Sequence, residues 1–572
     1  MDNQRVGDIL DEIGDMLDIQ GEISFKIQAY HRAANAIRSF PEDINKVWRE
    51  NRLKDIRGVG KSIAEKVEEL LGTGRLIFYE ELKEKVPPSL LDLMQVPGVG
   101  PKKAKIFYEE LGITTIEELL GAIEAHRIAP LRGMGAKTEE NILRGIQLFQ
   151  RSRERILLFE AHGIAEKIVS DFRKYPFVKG VDMAGSLRRM KETIGDIDIL
   201  VGSNEPLKVA EVFCHLPETA EVLAKGETKC SIITKSGLQV DLRVVASESY
   251  GAALQYFTGS KEHNIRLREI AKKKGLKISE YGIFEVAMGK RLGGEKEEDI
   301  YRILGLDYMP PTLRENKGEV EAALGHRLPK LIELKDIRGD LHVHSIWSDG
   351  SSRIEQLVEE SRKLGYEYLG LCDHAARLKV AGGMELKDVE KRLQEVKRVN
   401  EETPNFTVLN GVELNIENDG AVDYPEEILA QFDLVTASIH WGFGQSKEQL
   451  TRRLLKAMEN PYIHAISHPT GRILGKRDPY PLDMELVFKV AAETETFLEL
   501  NSFPDRLDLK DDHLKQAKEE FGCKFIIGTD AHGAGQLPYI KYGVVTAQRG
   551  CLESEDVLNT YPIDRLMKML RK

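Results

Sequence analysis

Gly185-Ser186-Leu187-Arg188-Arg189-Met190-Lys191-Glu192-Thr193-Ile194-Gly195-Asp196-Ile197-Asp198-Ile199-Leu200 ends in an apolar run broken by two acids. Residues i and i+2 of a β-strand share a face. Asp196 and Asp198 therefore project side by side, and Ile197 and Ile199 take the opposite face. Carboxylates held this close repel unless cations neutralise them. A second strand is expected at residues 238–245, where Asp241 sits in an apolar run. Laid beside the first, it completes a cradle of three carboxylates. Hard oxygen donors of this kind suit Mg²⁺, which takes the rest of its shell from water and phosphate oxygens. Two Mg²⁺ (or Mn²⁺) about 3.5–4 Å apart activate an attacking hydroxyl and stabilise a leaving pyrophosphate. Upstream, Gly185 and Ser186 offer backbone N–H groups and a hydroxyl, and Arg188 and Arg189 add positive charge. That combination suits a triphosphate.

Working outward, the chain of 572 residues is too long for one core, and its length suggests about three to five domains. An apolar fraction of 41% and a charged fraction of 31% fit a soluble globular protein. No run approaches the roughly 18 apolar residues of a membrane helix, and the polar start MDNQRVGDIL reads as no signal peptide. Five scattered cysteines indicate reduced thiols. The expectation is a cytoplasmic (nucleoid) protein with no membrane partner. The net charge of −11 argues against bulk electrostatic binding to nucleic acid. Residues 1–150 carry 21 Lys+Arg against 25 Asp+Glu, so any nucleic-acid contact there must be local.

Residues 1–50 read as amphipathic helices, with Val6, Ile9, Leu10, Ile13 and Leu17 at helical spacing. A Gly-x-Gly turn then opens a helix three times: Gly58-Val59-Gly60-Lys61, Gly98-Val99-Gly100-Pro101-Lys102 and, more loosely, Gly133-Met134-Gly135. The glycines permit a tight hairpin, and exposed N–H groups at the helix start meet phosphate. This looks like the helix-hairpin-helix motif, which holds DNA backbone without reading sequence. Lys66 follows on the helix that the first hairpin opens, where spacing alone makes it a solvated lysine. Residues 151–248 alternate helix and strand. Residues 249–308 carry Tyr256-Phe257-Thr258-Gly259-Ser260, then Asn264, Arg266 and Arg268 on a helix.

The segments 58–66, 97–104, 185–189 with 195–200, 240–243 and 256–260, in this order and spacing, make residues 1–308 resemble a family X DNA polymerase of the polymerase beta type. The resemblance implies that Asp196 and Asp198 bind both metals and Asp241 the catalytic one. It places Gly185, Ser186, Arg188 and Arg189 at the incoming deoxynucleoside triphosphate. Tyr256, Phe257 and Gly259 would line its sugar, Asn264 its base edge, and Arg268 the template, with Arg243 switching partners as the thumb closes. Lys66 matches the lysine that forms a Schiff base with a 5′-deoxyribose phosphate, and Lys26 and Tyr30 match its phosphate-binding neighbours. Gly58, Gly60, Lys61, Gly98, Gly100 and Lys102 would hold DNA, with a monovalent cation at the hairpins. Three positions depart from the family pattern. Ser62 replaces a phosphate-gripping lysine, Phe25 a template-stacking histidine, and Gln239 an arginine two residues before the third acid.

From Gly339 the chemistry changes. His342 and His344 share one face of an expected strand, with Asp349 in the loop beyond. His374, Glu413, His440, His468, Asp530 and His532 each follow a short apolar run, and helical segments such as 355–364 and 447–458 separate them. Strand–helix units with ligands at strand C-termini imply a (β/α) barrel with its site on that face. Imidazole-rich donors favour Zn²⁺, Mn²⁺ or Fe over Mg²⁺. Residues 339–545 resemble the PHP (polymerase and histidinol phosphatase) domain. That resemblance implies up to three ions: one on His342, His344, Glu413 and Asp530, a second on Glu413, His440 and His468, a third on Asp349, His374 and His532. Arg377 and Arg472 are expected at the substrate.

The expected architecture is multidomain α/β. A lyase-like helical domain (1–85) and a helical DNA-binding subdomain (86–150) precede a nucleotidyltransferase palm (151–248) and a nucleotide-selecting thumb (249–308), both α+β. A linker (309–338) leads to a distorted (β/α)7-type PHP barrel (339–572). The expected enzyme is a monomer that fills gapped or primed DNA from deoxynucleoside triphosphates and hydrolyses phosphodiesters in the barrel, as a 3′→5′ exonuclease and an abasic-site endonuclease. Two other readings stand beside it. In one, the first half only delivers the nuclease to gaps; in the other, the barrel cleaves a small phosphate ester.

Overall fold

Helices form first because the apolar stripe demands it. Val6, Leu10 and Ile13 are wholly buried where Asn3–Gln20 packs along Ser24–Arg38. The computed structural model describes all residues except Asp2, Ser39, Pro41, Arg57, Pro97, Glu154 and Lys572. Arg57 and Pro97 of the two hairpin motifs thus lie outside the described residues. Gly58 (φ 91°) and Gly98 (φ 89°) turn the chain in the left-handed region. Gly60 and Gly100 then cap the helices Lys61–Thr73 and Pro101–Leu111. The two helical units expected at 1–85 and 86–150 share one apolar core running from Val6 to Phe149.

The palm is a five-stranded sheet in the order Gly180–Met183, Ile197–Gly202, Gln239–Val245, Lys229–Thr234, Thr219–Lys225. Ile197–Gly202 and Gln239–Val245 run parallel, and their register sets Asp198 opposite Asp241. Ile197 (0% exposed) and Ile199 (1%) face the core, which fixes the face the carboxylates take. The thumb follows, with helices Tyr250–Thr258 and Lys261–Lys273, a three-stranded antiparallel sheet and the helix Glu297–Leu304.

Residues 309–338 are not the extended connector expected from the paired prolines. Met309, Val320 and Ala323 are wholly buried in the thumb core, and Glu319–Leu324 is helical. The anchor is Arg314, fully buried, whose Nε donates to the Met309 carbonyl at 2.8 Å and whose Nη1 meets Glu297 at 2.5 Å. Arg188 grips the same Glu297 with both arms at 2.7 Å. Burial pushes the Glu297 carboxyl up, but the two arginines outweigh it and hold it at about 2, below its ordinary 4.5. The stabilisation is therefore present in full above pH 4.5 and is lost as pH falls through about 2. Glu297→Gln should cost about 3 kcal/mol near neutrality. In thermal melts its deficit against the parent should shrink as pH drops below 4.5. A deficit independent of pH would contradict this account of the cluster.

The last unit is a parallel barrel of seven strands in chain order, from Gly339–Val343 to Phe525–Gly528. It nearly closes: Val343 bridges Ala531, and the His344 N–H donates to the Ala531 carbonyl at 2.8 Å. The palm packs directly on this barrel. Leu507 and Tyr542 belong to the palm core, and Phe159 meets Tyr539 and Tyr542 edge-on at 5.2 and 5.8 Å.

Candidate metal centres in the palm and the barrel

In the palm, Gly185 has φ 59°, and a Cβ there would lie 2.1 Å from Asp198 Oδ2. Only glycine lets the Gly185–Arg188 turn approach the carboxylate this closely. Asp196 stands exposed one residue before the strand rather than within it. Burial, with Asp196 and Asp241 nearby, pushes Asp198 up to about 7. That is the electrostatic signature of acids that accept a cation between them. Asp241 takes a hydrogen bond from Gln239 Nε2 at 2.9 Å and pairs with Lys229 at 3.1 Å. Gln239 and Lys229 thus occupy the place the expected arginine would fill. Lys229 was not foreseen.

The nucleotide contacts expected from the sequence divide. Arg188 is committed to Glu297 and to the Thr258 hydroxyl (2.6 Å), tying palm to thumb. Arg189 donates Nη1 to the Thr258 carbonyl at 2.6 Å and Nε to Glu315 at 3.0 Å. Asn264 is buried between Gln255 and the Tyr256 carbonyl, each at 2.7 Å, and not aimed at a base. Tyr256 and Phe257 pack edge to face at 5.2 Å, and the Arg243 guanidinium lies 5.3 Å over the Phe257 ring. Gly259 leaves room for Arg189, whose Nη1 would lie 3.2 Å from a Cβ there. Ser186 is half-buried and Arg268 exposed.

In the helical region Lys61 and Lys102 are exposed beside the capping glycines. Lys26 pairs with Glu22 at 2.7 Å. Lys66 meets the Ser62 hydroxyl at 3.1 Å and lies 5.0 Å over the Phe78 ring. Tyr30, expected at a 5′-phosphate, is instead a core residue, 4% exposed and stacked near Phe78. Phe25 is 76% exposed.

In the barrel the structure brings all nine expected donors to the C-terminal mouth. Glu413, wholly buried, lies 2.9 Å from His468, 3.4 Å from His440, 3.0 Å from His374 and 3.5 Å from His342. His344 Nε2 lies 3.1 Å from both His342 Nε2 and Asp530 Oδ1. Asp349 sits 3.3 Å from His532 and 3.6 Å from His374. Three donor groups are tight enough for an ion: His344, Asp349, His374 and His532; His342, His344 and Asp530; His374, Glu413 and His440. His344 and His374 are therefore shared between groups, unlike the partition expected from the sequence.

These residues fit metal ions. His344 Nδ1, His374 Nδ1, His468 Nδ1 and Glu413 Oε2 are buried without a hydrogen-bond partner, a cost a cation removes. Burial and the neighbouring His532 and His374 push His344 down to about 4, and burial with Arg506 pushes His468 to about 3. Both imidazoles are thus neutral at pH 7, the form that binds metal. Burial draws His532 down, but Asp349 outweighs it and holds the ring at about 9.

The surrounding shell was not foreseen. Glu499 accepts from His342 Nδ1 at 2.6 Å and from the His468 N–H at 2.5 Å. Asn415 accepts from His440 Nδ1 at 2.6 Å. Arg506 lies 3.3 Å from Asp530, and its Nη1 is buried without a partner. Arg472, expected at the substrate, turns away. It binds the Arg506 carbonyl at 2.9 Å, the Leu507 carbonyl, and Glu192 of the palm at 2.8 Å. Arg377 pairs with Glu417.

Comparison with known proteins agrees with these parts. A helix-hairpin-helix domain matches residues 1–76, a SAM-like helix-hairpin-helix tandem 90–147, a DNA polymerase beta thumb 253–315 and a PHP domain 340–503. The DNA polymerase/3′-5′ exonuclease PolX of Bacillus subtilis is 36% identical over 566 residues, 99% of this chain and 98% of that protein. DNA polymerase lambda of Rattus norvegicus is 26% identical over 343 residues, 55% of this chain and 56% of that protein. A probable phosphatase of Thermoanaerobacter is 29% identical over 236 residues, 39% of this chain and 89% of that protein.

Proposed function

This chain belongs to the PolX family of family X DNA polymerases with a C-terminal PHP domain, and from that premise we propose a DNA repair enzyme with two phosphorus-handling sites. The palm fills short gaps from deoxynucleoside triphosphates. The barrel hydrolyses phosphodiesters from a 3′ end and at abasic sites. The observation that carries this reading is the pair of separate donor sets, Asp198 facing Asp241 in the palm and, in the barrel, eight residues in three donor groups with His468 beside Glu413.

Asp196, Asp198 and Asp241 would hold two Mg²⁺ or Mn²⁺, and the barrel donors up to three Zn²⁺, Mn²⁺ or Fe ions. Bound there, such ions lower the pKa of a nucleophile and neutralise charge on phosphoryl oxygens. The chain's own residues do the rest. Gly185, Ser186 and Arg189 hold the triphosphate, and Asp241 accepts the primer hydroxyl proton. Phe257 and Gly259 shape the sugar pocket, and Arg268 meets the template. In the barrel Glu499 and Asn415 fix the ring orientation of His342 and His440, as outer partners of metal ligands do. Arg506 offers a buried positive charge to the scissile phosphate.

Gly58, Gly60, Lys61, Gly98, Gly100 and Lys102 grip backbone phosphates, with a monovalent cation at the hairpins. The exposed Phe25 ring stacks on a template base. Lyase action at Lys66 has weaker support, because Tyr30 is buried. Both sites lie within one chain, which supports action as a monomer. Among the described residues no helix is long and apolar enough to cross a membrane, in keeping with work at the nucleoid.

The likeness of the barrel to a probable phosphatase favours a second reading, in which it cleaves small phosphate esters. One assay separates the two. On a one-nucleotide gap with Mg²⁺ or Mn²⁺, the full chain should add a single labelled nucleotide. Without triphosphates and with Mn²⁺, it should release nucleotides from a labelled 3′ end. Turnover of p-nitrophenyl phosphate with no attack on DNA would instead establish the second reading.

A further inference from the structure

The barrel reaches into the palm through one buried side chain. Arg549 lies on the barrel helix Ile540–Arg549, and its side chain is 4% exposed. Its Nη2 donates to Asp511 of the barrel at 2.6 Å. Its Nη1 donates to the Arg189 carbonyl in the palm at 2.7 Å and to Glu315 Oε1 at 3.2 Å. The same Glu315 oxygen accepts from Arg189 Nε at 3.0 Å and lies 3.8 Å from Lys191. One carboxylate oxygen is therefore shared by a palm arginine and a barrel arginine, and all three side chains are at most 13% exposed.

The electrostatic consequence is direct. A carboxylate paired with Arg189 alone would neutralise the guanidinium that the reading of the palm assigns to the incoming triphosphate. Buried charges interact strongly because little solvent screens them. Arg549 takes part of the Glu315 charge, so more of the Arg189 charge is left for phosphate. It also pins the Arg189 backbone, and Arg189 Nη1 docks on the Thr258 carbonyl at 2.6 Å. A cavity of ≈ 250 Å³ lined by Glu315, Lys317, Asp511 and Arg549 adjoins this chain of contacts.

We propose that Arg549, a residue of the hydrolytic domain, is a positioning residue for nucleotide binding in the palm, acting through Glu315 and Arg189. The inference rests on the reading of the palm as a nucleotidyltransferase. It adds a specific link, in which the nuclease barrel sets the triphosphate affinity of the polymerase site.

The test uses the full chain in single-nucleotide gap filling, with 3′-end hydrolysis and thermal melting measured in parallel. Arg549→Lys loses the fork, and a single ammonium drawn to Asp511 cannot also hold Glu315 and the Arg189 carbonyl, so the Glu315 charge falls back on Arg189. The variant should raise KM for the deoxynucleoside triphosphate about tenfold, with kcat and hydrolysis within about twofold. Glu315→Gln removes the competing charge and should lower that KM about threefold. The double variant should recover most of the loss, because the two changes act on one group. An unchanged KM in Arg549→Lys overturns the proposal, whatever Glu315→Gln does. Equal losses of both activities with a lowered melting temperature also overturn it, since that pattern marks a packing role alone. Should Arg549→Lys fail to fold, Asp511→Asn decides the matter: it frees Arg549 for Glu315 and should lower that KM, and an unchanged KM there overturns the proposal. If the parent chain incorporates no nucleotide, the palm reading falls and this inference with it. If the parent works and the variants match it, only the inference falls.

Discussion

Asp198→Ala should lower the rate of nucleotide incorporation by about 10³-fold or more, about 4 kcal/mol at 1.36 kcal/mol per decade, while hydrolysis of a 3′ end stays within about twofold. Asp198 lies opposite Asp241 in register on two parallel strands, and its carboxylate also borders the Gly185 turn. Without it, Asp241 keeps Lys229, Gln239 and Ser231, which hold its charge but cannot bridge it to a triphosphate. The Ala184 N–H donates to the Asp198 carbonyl, a backbone contact that alanine preserves, so the fold should survive. Asp198→Asn keeps the shape as well and should behave alike, because an amide lacks the charge that holds a divalent ion. Primer extension and 3′-end release on the same preparation would check this. A variant that still extends a gapped primer at even a tenth of the parental rate would remove the cradle from the mechanism.

The sequence made the donor residues legible but not their surroundings. Asp196, Asp198 and Asp241 could be found because an acid inside an apolar strand is costly without a purpose, and the period of two fixes its face. The barrel ligands could be found because all but Asp349, in the first loop, lie on or just after an apolar strand. Glu499 was missed although it offered the same signal. Glu499-Leu500-Asn501 repeats Glu413-Leu414-Asn415 at a second strand end. Arg506 gave no signal, because an arginine beside Asp505 and Asp508 reads as a surface turn. In the fold Leu507 packs into the palm core and Arg506 pairs with Asp530. The same limit explains Arg188 and Arg472, which looked like phosphate ligands. Glu297 and Glu192, which take them, lie 109 and 280 residues away in the chain. Distant ion pairs of this kind follow from how domains dock, and local pattern carries no trace of them. The linker failed for a related reason: paired prolines mark an extended path, yet the buried Arg314 fastens that path to the thumb.

His344→Ala should abolish hydrolysis, by about 10³-fold or more, reduce the metal bound per chain, and leave gap filling within about twofold. His344 belongs to two of the three donor groups. Its Nε2 faces His342 and Asp530, while its Nδ1, buried without a hydrogen-bond partner, lies 3.8 Å from Asp349. Losing one ring therefore weakens two ion positions at once, whereas His440→Ala touches only one. Since His344 is wholly buried, the cavity left by alanine also needs a control. Glu413→Gln supplies it, because it keeps the volume and removes the charge that His374, His440 and His468 surround. Both variants should lose bound metal by elemental analysis, with melting curves read with and without chelator to separate metal loss from unfolding. Glu499→Gln should act differently. It leaves every donor in place and disturbs only their support, at the His342 ring and the His468 backbone, so a loss of about 10–100-fold is expected. An order of effect His344→Ala, then Glu499→Gln, with synthesis intact throughout, follows if the imidazoles hold the ions and the glutamate aims them. The reverse order would mean that Glu499 itself works on the substrate and that His342 merely supports it.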